Sequence, residues 1–388
     1  MSPFSAIFVP DELAETLSDR AWLAALLDAE QALVNAQSLA GLVPAAAATV
    51  VSEAFRADLY DVRALAEEGR GPGNPVEPLV RAIRARVGDE YAHFVHRGAT
   101  SQDILDSAAM LVSQRALRFV DGELERVANA CAALADGHRL SVMAGRTLLQ
   151  QAVPTTFGLK AAGWLLGIVE ARAQLAAVAE ALPAQLGGAA GTLAALGGDG
   201  LEVLRLYAAE LDLREPPLPW HTIRTPTALL AGALATEAGI VAKVAGDVVL
   251  LAQTEVDEVR EAEGGSSSTM PHKRNPTNAI LAIACARHAR ANAGILLESV
   301  AQEHERAAGA WHAEWAALSR ALAAAGGAAA ALRRSLDGLE VDTVRMRANL
   351  GDETLSEARR FGIDAAGPED YLGSAGAFVD RALGQHRG

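Results

Sequence analysis

The residue types best suited to chemistry in this chain are concentrated in one polar stretch at residues 264–276. It reads Gly-Gly-Ser-Ser-Ser-Thr-Met-Pro-His-Lys-Arg-Asn-Pro and lies between two long helix-forming segments. Lys273 and Asn275 directly precede a predicted helix, and the free N–H groups and positive dipole at a helix start favour an anion. Two glycines would let the serines close over that anion, although a flexible linker has the same composition. The stretch therefore predicts either an anion-binding loop or a linker.

Two further polar clusters occur immediately before predicted helices. Residues 96–103 read His-Arg-Gly-Ala-Thr-Ser-Gln-Asp and precede a helix predicted over 104–134, which Thr100 or Ser101 could cap. Residues 145–151 read Gly-Arg-Thr-Leu-Leu-Gln-Gln and precede a proline and a further long helix. The hydroxyl, amide and cationic groups of these clusters are the donors that bind carboxylates. The sequence therefore contains three polar stretches that could contribute to a site.

Helix-forming patterns account for most of the chain and would position these stretches. Hydrophobic residues make up 51% of the sequence and aromatic residues only 4%, so an all-α fold with contacts between alanine- and leucine-rich helices is expected. Helical spacing predicts helices over 11–41, 44–68, 104–134, 225–263, 276–306 and 311–336, and another that ends near 181. Because the longest helices carry apolar residues on more than one face, we expect an extended bundle that associates with other copies of itself.

The charge balance and composition disfavour several functional classes. The chain has 34 Lys and Arg against 48 Asp and Glu, a net charge of −14, which argues against nucleic acid and anionic membranes as partners. The N-terminus lacks a basic region followed by an apolar run, and Glu237, Lys243 and Asp247 interrupt the most apolar helix, so no targeting or membrane-spanning segment is predicted. Cys131 and Cys285 lie in apolar helical patterns, which indicates buried reduced thiols and a cytoplasmic protein.

Residues 267–276 resemble the signature of the fumarase/aspartase superfamily, whose enzymes add or eliminate groups across a carboxylate-activated carbon–carbon bond. The clusters at 96–103 and 145–151 resemble its two other conserved regions and occur in the same order. The resemblance extends to about residue 350 and implies an all-α, fumarase/aspartase-like fold with a long central helical bundle. It also implies an N-terminal helical domain (1–100), a central domain of long helices (101–343) and a C-terminal helical domain (344–388) that is shortened in its middle.

Within the superfamily, residues 98–103, 154–160 and 311–315 most resemble the bacterial 3-carboxy-cis,cis-muconate cycloisomerases, and adenylosuccinate lyases are the near competitor. One position separates the two groups on chemical grounds. The lyases are expected to have a histidine after Gly-Arg-Thr, as the general acid for a departing nitrogen, whereas this chain has Leu148. An amine leaves badly without a proton, but a carboxylate with a reference pKa of about 4 is stable as an anion. Leu148 therefore favours the cycloisomerases.

Each predicted site residue takes its role from that resemblance. The implied reaction is lactonisation of 3-carboxy-cis,cis-muconate to 4-carboxymuconolactone, in the protocatechuate branch of the β-ketoadipate pathway. Ser267 would donate the proton in ring closure, and Lys273 and Asn275 would stabilise the enediolate-like charge on the adjacent carboxyl group. The predicted substrate-binding residues are His96, Thr100, Ser101, Arg146, Thr147, Gln150, Arg224 and Met270. His96 and Arg146 would supply positive charge or support to the other ligands.

Two of these assignments have alternatives within the sequence. One serine more than the family pattern is present, so Ser266 and Ser268 compete with Ser267, although the spacing to Met270 favours Ser267. Arg224 could bind a substrate carboxylate or could form a structural salt bridge.

The resemblance also implies partners and leaves other functions open. It implies no metal and no organic cofactor, a small anionic tricarboxylate substrate, and a homotetramer whose active sites are shared between subunits. One alternative function is an elimination that releases fumarate, as in adenylosuccinate lyases. The other is a catalytically silent structural relative, which the shortened C-terminal domain suggests. For His304 and His312, packing in the bundle is favoured over catalysis.

Overall fold

The protein is built almost entirely of helices, as a computed structural model of residues 5–266, 270 and 273–387 shows. The N-terminal part contains α1 (Ser5–Phe8), α2 (Asp11–Thr16), α3 (Asp19–Leu39), α4 (Ala45–Ser52), α5 (Val62–Glu68) and α6 (Val76–Val87). The long helices are α7 (Ser101–Gly137), α8 (Phe157–Glu180), α10 (Thr225–Leu251), α11 (Thr277–Glu298) and α12 (Ala310–Leu336), with the shorter α9 (Gly200–Glu210) between them. The C-terminal part contains α13 (Thr343–Ala348), α14 (Ser356–Phe361) and α15 (Ala375–Arg387). The predicted all-α fold is confirmed.

Three small antiparallel pairs are the only sheets in the described part of the chain. Strand β1 (Val142–Thr147) pairs with β2 (Gln150–Thr156), β3 (Val259–Arg260) with β6 (Glu340–Val341), and β4 (Gly265–Ser266) with β5 (Arg274–Asn275). The first pair lies in the second polar cluster, and the third pair frames the third stretch. Strand pairing therefore occurs at two of the regions that the sequence singles out for chemistry.

The core forms where the long helices pack against one another through small side chains. Alanines on α7, α8, α10, α11 and α12 are fully buried, which lets the helix axes approach closely. Helix α12 is continuous through Gly326 and Gly327 in its middle. A Cβ atom on Gly327 would lie 2.3 Å from the carbonyl oxygen of Phe8, so this glycine makes room for the N-terminal segment. Cys131 and Cys285 are free and buried as predicted, and burial raises their thiol pKa values to about 12 and about 11.

The helix ends predicted at 263 and 306 are wrong, and in both places tertiary contacts override helix propensity. The helix predicted to end at 263 ends at Leu251, because the chain then turns through Asp257, which has a left-handed φ of 53°, into strand β3. The helix predicted to end at 306 ends at Glu298, where Ala301 leaves the helix to form a β-bridge with Ile223. The domain boundaries proposed at 100/101 and 343/344 stay predictions.

Four helices, α8, α10, α11 and α12, are long and apolar enough to cross a membrane by length and composition alone. Within the bundle, 72% of the apolar window of α12 and 50% of that of α10 is buried, but only 39% for α8 and 33% for α11. The exposed remainder includes Leu166 on α8 and Ile280 and Ile295 on α11. That no segment spans a membrane stays a prediction, and these apolar faces are surface that association with other copies would bury.

Glu237 in the middle of α10 gives the fold a specific pH dependence. Its side chain is fully buried, both carboxylate oxygens lack a hydrogen-bond partner among the described residues, and burial raises its pKa well above the usual value. Because the folded-state pKa is raised, the stabilising contribution is complete below the unfolded-state pKa, near 4.3, and is lost as pH rises towards the folded-state value.

We therefore expect Glu237→Gln to gain stability relative to the unmodified protein as pH rises from 5 to 8. The difference in unfolding free energy should grow by at most about 1.4 kcal/mol for each pH unit, since the variant has no proton to lose. Urea unfolding at fixed protein concentration measures it. The exposed Glu298 provides the control, because Glu298→Gln should change stability little at any pH. A pH-independent difference for Glu237→Gln would show that the carboxylate has a partner in solution.

Candidate active site

The first polar cluster is held together by Asp103 in the first turn of α7. Its buried carboxylate accepts hydrogen bonds from the backbone N–H groups of Thr100, Gly187 and Gly188, each at 2.9 Å. The Nε2 atom of His221 lies 2.7 Å from the same carboxylate. Asp103 therefore joins the helix start to a glycine turn and to the segment before α10. Thr100 is the N-cap residue of this helix, so of the two predicted caps, Thr100 and Ser101, the first is confirmed.

His96 lies beside this helix start in a strained conformation and is paired with a buried acid. Its φ is 60°, and its Nδ1 atom lies 2.6 Å from Oε1 of Glu30, which is fully buried. Burial alone would lower the pKa of His96, but the charge and the hydrogen bond of Glu30 raise it above the ordinary value. His96 is therefore paired with a buried carboxylate at the cluster, while Thr100 and Ser101 stay partly exposed beside it.

The prediction that Arg224 binds a substrate carboxylate is wrong. The side chain is 2% exposed, and its guanidinium donates to Asp106 at 2.7 and 3.1 Å and to Glu314 through Nε at 2.9 Å. It also stacks on the ring of Trp220, with 4.6 Å from its central carbon to the ring centroid. All of its charge is used inside the protein, so the structural salt bridge is the correct alternative.

Arg306 is a cation at the first cluster that the sequence did not single out. Its Nη1 donates to Oε1 of Gln102 at 3.1 Å, and its Nη2 donates to the carbonyl oxygen of Ala189 at 3.1 Å. Both acceptors are neutral, and within the described part of the chain this guanidinium forms no ion pair with a carboxylate. Arg306 is the last residue of the helix predicted over 276–306, and nothing in that helical pattern indicated a binding role for it. Arg306 therefore differs from Arg224, whose guanidinium is bound by two buried carboxylates.

The second cluster forms the tip of the β1–β2 hairpin. Leu148 and Leu149 occupy the turn with left-handed φ values of 50° and 64°, and the Leu148 side chain is 96% exposed. Thr147 and Gln150 flank the turn and are also exposed. Positive φ at both central residues is typical of a turn that closes a two-residue hairpin, but leucine is strained in that conformation and here leaves an apolar side chain exposed. The choice of leucine at these two positions points to a function at the tip.

Arg146, at the base of this tip, is bound by Glu258. The two terminal guanidinium nitrogens donate to the two oxygens of that buried carboxylate at 2.9 and 2.6 Å. This bidentate pair is a strong and directional interaction. It supports the alternative in which Arg146 supports other ligands.

The third stretch is described only in part. Ser267, the predicted proton donor, lies outside the described residues, and Met270 is described through its carbonyl oxygen, which accepts the N–H of Lys273 at 3.0 Å. Lys273 is exposed, and Asn275 pairs with Gly265 in the β4–β5 ladder. Lys273 and Asn275 line a cavity of about 730 Å³, which is large enough for a small-molecule ligand.

The anion expected at the start of the helix after Pro276 is provided by the protein itself. The carboxylate of Glu261 accepts the backbone N–H groups of Asn278 at 3.1 Å and Ala279 at 2.8 Å. These are two of the free N–H groups at the helix start that were predicted to bind an anion. Those two groups are therefore occupied by Glu261 and are not free to bind a second anion.

Among the residues that the structure describes, one chain does not bring the three stretches together. The first cluster lies at the start of α7 and the hairpin base follows its end, and 37 residues of helix span about 55 Å. Helix α10 leads from Arg224, beside the first cluster, to the segment of Glu258 and Glu261, which contact the hairpin and the third stretch. The hairpin and the third stretch therefore share one end of the bundle, and the first cluster lies at the other.

An all-α bundle of long helices with three polar stretches at its ends is the arrangement of the fumarase/aspartase superfamily. The model of the lyase family matches residues 9–291, and the chain belongs to that family. It is 49% identical to nitrosuccinate lyase of Streptomyces davaonensis over 88% of this chain and 76% of that protein. It is 46% identical to 3-carboxy-cis,cis-muconate cycloisomerase of Bradyrhizobium diazoefficiens over 86% of this chain and 75% of that protein.

A solved structure has the same fold over the whole chain. The 3-carboxy-cis,cis-muconate lactonizing enzyme of Pseudomonas putida superposes with a TM-score of 0.93 at 35% identity, covering 100% of this chain and 99% of that one. The predicted membership of the superfamily and the predicted likeness to the cycloisomerases are both confirmed.

Proposed function

We propose that this protein is a 3-carboxy-cis,cis-muconate cycloisomerase that acts in the protocatechuate branch of the β-ketoadipate pathway. The observation that carries the proposal is the hairpin tip, where Leu148 occupies the position at which an amine-releasing relative needs a general acid. Among residues 145–151, the sole ionisable side chain is Arg146, which is bound to Glu258. A tip without a proton donor suits a reaction in which the group that leaves, or adds in reverse, is stable as an anion.

In the proposed mechanism, a carboxylate of the muconate adds to the conjugated diene and forms the lactone ring. Negative charge then develops on the carboxyl group next to the other end of the attacked double bond, and Lys273 and Asn275 stabilise it. Ser267 donates the proton that completes the isomerisation. Thr100, Ser101, Thr147, Gln150 and Arg306 supply hydrogen bonds and charge to the remaining carboxylates. No atom is gained or lost, so the reaction needs no second substrate.

A second candidate function is elimination of nitrite from nitrosuccinate. Its support is the 49% identity to a nitrosuccinate lyase, which exceeds the 46% identity to the cycloisomerase. Nitrite, like a carboxylate, leaves as a stable anion, so Leu148 is compatible with both reactions. Leu148 argues equally against release of an amine, so the adenylosuccinate-type elimination stays the weaker alternative.

A substrate comparison with the purified protein tests these proposals. We expect loss of the conjugated-diene absorbance of 3-carboxymuconate, with little nitrite released from nitrosuccinate and no fumarate from adenylosuccinate. Nitrite release without diene loss would assign the second function. Fumarate release from adenylosuccinate alone would contradict the leaving-group argument, and inactivity towards all three compounds would favour a silent relative.

We further propose a cytoplasmic homotetramer in which different subunits contribute the three stretches to each site. Two observations support it: the first cluster lies a helix length away from the other two, and α8 and α11 leave apolar side chains exposed. Self-association would bury those faces and complete the site. Light scattering should give a mass of about four chains, and a monomer with full activity would contradict the shared site.

A further inference from the structure

We propose that Glu258 and Asn349 are positioning residues that hold the β1–β2 hairpin, so that Thr147 and Gln150 at its tip reach the substrate. This inference rests on the proposed function for its catalytic consequence, although the contacts that carry it are independent of any substrate. Neither residue belongs to the three polar stretches, and Asn349 lies in the shortened C-terminal part of the chain.

Strand β1 is held through Arg146. The carboxylate of Glu258 is fully buried and accepts hydrogen bonds from both terminal nitrogens of Arg146. It also accepts a hydrogen bond from Nδ2 of Asn349 at 2.9 Å. The same Nδ2 donates to the carbonyl oxygen of Val256 at 2.7 Å. A buried carboxylate with three donors has a fixed orientation, so Arg146 is fixed in turn.

Strand β2 is held by the same C-terminal segment. Nε2 of Gln151 donates to the carbonyl oxygen of Asn349 at 2.7 Å, and its Oε1 accepts the N–H of Gly351 at 3.0 Å. Arg146 and Gln151 are cross-strand partners in the hairpin register. Both strands are therefore held at one level, immediately before the turn: β1 by Glu258, and β2 by the segment of Asn349 that also bonds to Glu258.

Beyond that level the hairpin has no comparable support in the described part of this chain. The tip consists of four residues, 147–150, all exposed, with two of them in left-handed conformations. Because the tip is so short, its position is determined by the orientation of the strands below it. A displacement of about 1 Å in a group that orients a substrate can lower a rate by about 100-fold. The brace at residues 146, 151, 258 and 349–351 would prevent such a displacement.

The test compares Asn349→Ala, Gln151→Ala and the double variant in the full-length protein. We expect each single variant to lower kcat by about 10- to 100-fold without lowering the urea midpoint beyond that of a control variant. Hydrogen exchange of residues 142–156 should become faster, while exchange in α7 and α12 stays unchanged. Since the two strands are bonded to each other, the double variant should be no more than about threefold slower than the slower single variant.

Gln114→Ala is the matched control. Gln114 makes a side-chain to backbone hydrogen bond of 3.1 Å to Asp212, on the exposed side of α7 and outside the three polar stretches. It should leave kcat and hairpin exchange unchanged. Wild-type kcat in variants whose hairpin exchanges faster, or fully multiplicative losses in the double variant, would overturn the proposal.

The two proposals can fail separately. If the unmodified chain turns over neither 3-carboxymuconate nor nitrosuccinate, the proposed function fails, and hydrogen exchange still reports on the brace. Unchanged exchange at 142–156 in both single variants would then overturn it, whereas faster exchange confined to the hairpin would support it.

Discussion

Replacement of Ser267 by alanine is expected to lower kcat for 3-carboxymuconate by about 1,000-fold and to leave the oligomer intact. Loss of a positioned general acid or base typically removes a factor of 10² to 10⁴, and no other side chain of the third stretch has the same register with Met270. Lys273, which lines the cavity at the third stretch, would stabilise the serine alkoxide in the reverse direction. Diene absorbance measures the rate, and light scattering with circular dichroism verifies assembly and helix content.

The neighbouring serines provide matched controls for this prediction. Ser266→Ala and Ser268→Ala remove the same hydroxyl one position away and should change kcat less than about tenfold. If Ser268→Ala shows the large loss and Ser267→Ala does not, the register assignment is wrong. Near-normal activity in all three variants would remove serine from the proposed proton transfer.

Arg224→Met should lower the free energy of unfolding by about 3–5 kcal/mol. The substitution keeps most of the apolar volume but leaves Asp106 and Glu314, at 2% and 4% exposure, without their shared cation. Burial already raises the pKa of Glu314 despite the neighbouring guanidinium, so an unpaired carboxylate there is costly. Urea unfolding at constant protein concentration gives the free-energy difference.

An exposed ion pair shows whether burial is the cause. Arg205 lies 2.6 Å from Glu202, and both side chains are about half exposed, so Arg205→Met should cost less than about 1 kcal/mol. Adding Glu314→Gln to Arg224→Met should recover part of the loss, because one buried charge is removed. Equal losses for the two arginines would show that Arg224 is not the electrostatic centre of this end of the bundle.

The sequence predicted those helices whose ends are determined locally. Helix α8 ends at Glu180 against a prediction near 181, and α12 spans residues 310–336 against a prediction of 311–336. Capping and helix propensity act within about four residues, so a linear pattern contains them. The ends of α10 and α11 depend on a strand pair and a β-bridge with distant segments, and there the prediction was wrong.

The candidate site also has features that local sequence predicted and features that depend on distant contacts. Its three polar stretches were recognisable because each is a contiguous pattern, and Leu148 indicated the leaving group from its position in one of them. Three arginines were indistinguishable in sequence, but the structure pairs Arg146 with Glu258 and Arg224 with Asp106 and Glu314. The acceptors of Arg306 within the described ranges are neutral.

Whether a cation is available to a substrate therefore depended on residues 90 to 118 positions away for Arg224 and 112 for Arg146. By itself the sequence determined the fold class and the family and predicted three candidate stretches for the site, since these follow from local periodicity and contiguous motifs. Only the tertiary structure decided which charges are already neutralised and how far apart the three stretches lie. Charge pairing depends on distances in space, which a linear sequence does not contain. The length of α7 separates the polar stretches at 96–103 and 145–151, although their motifs suggest a common site.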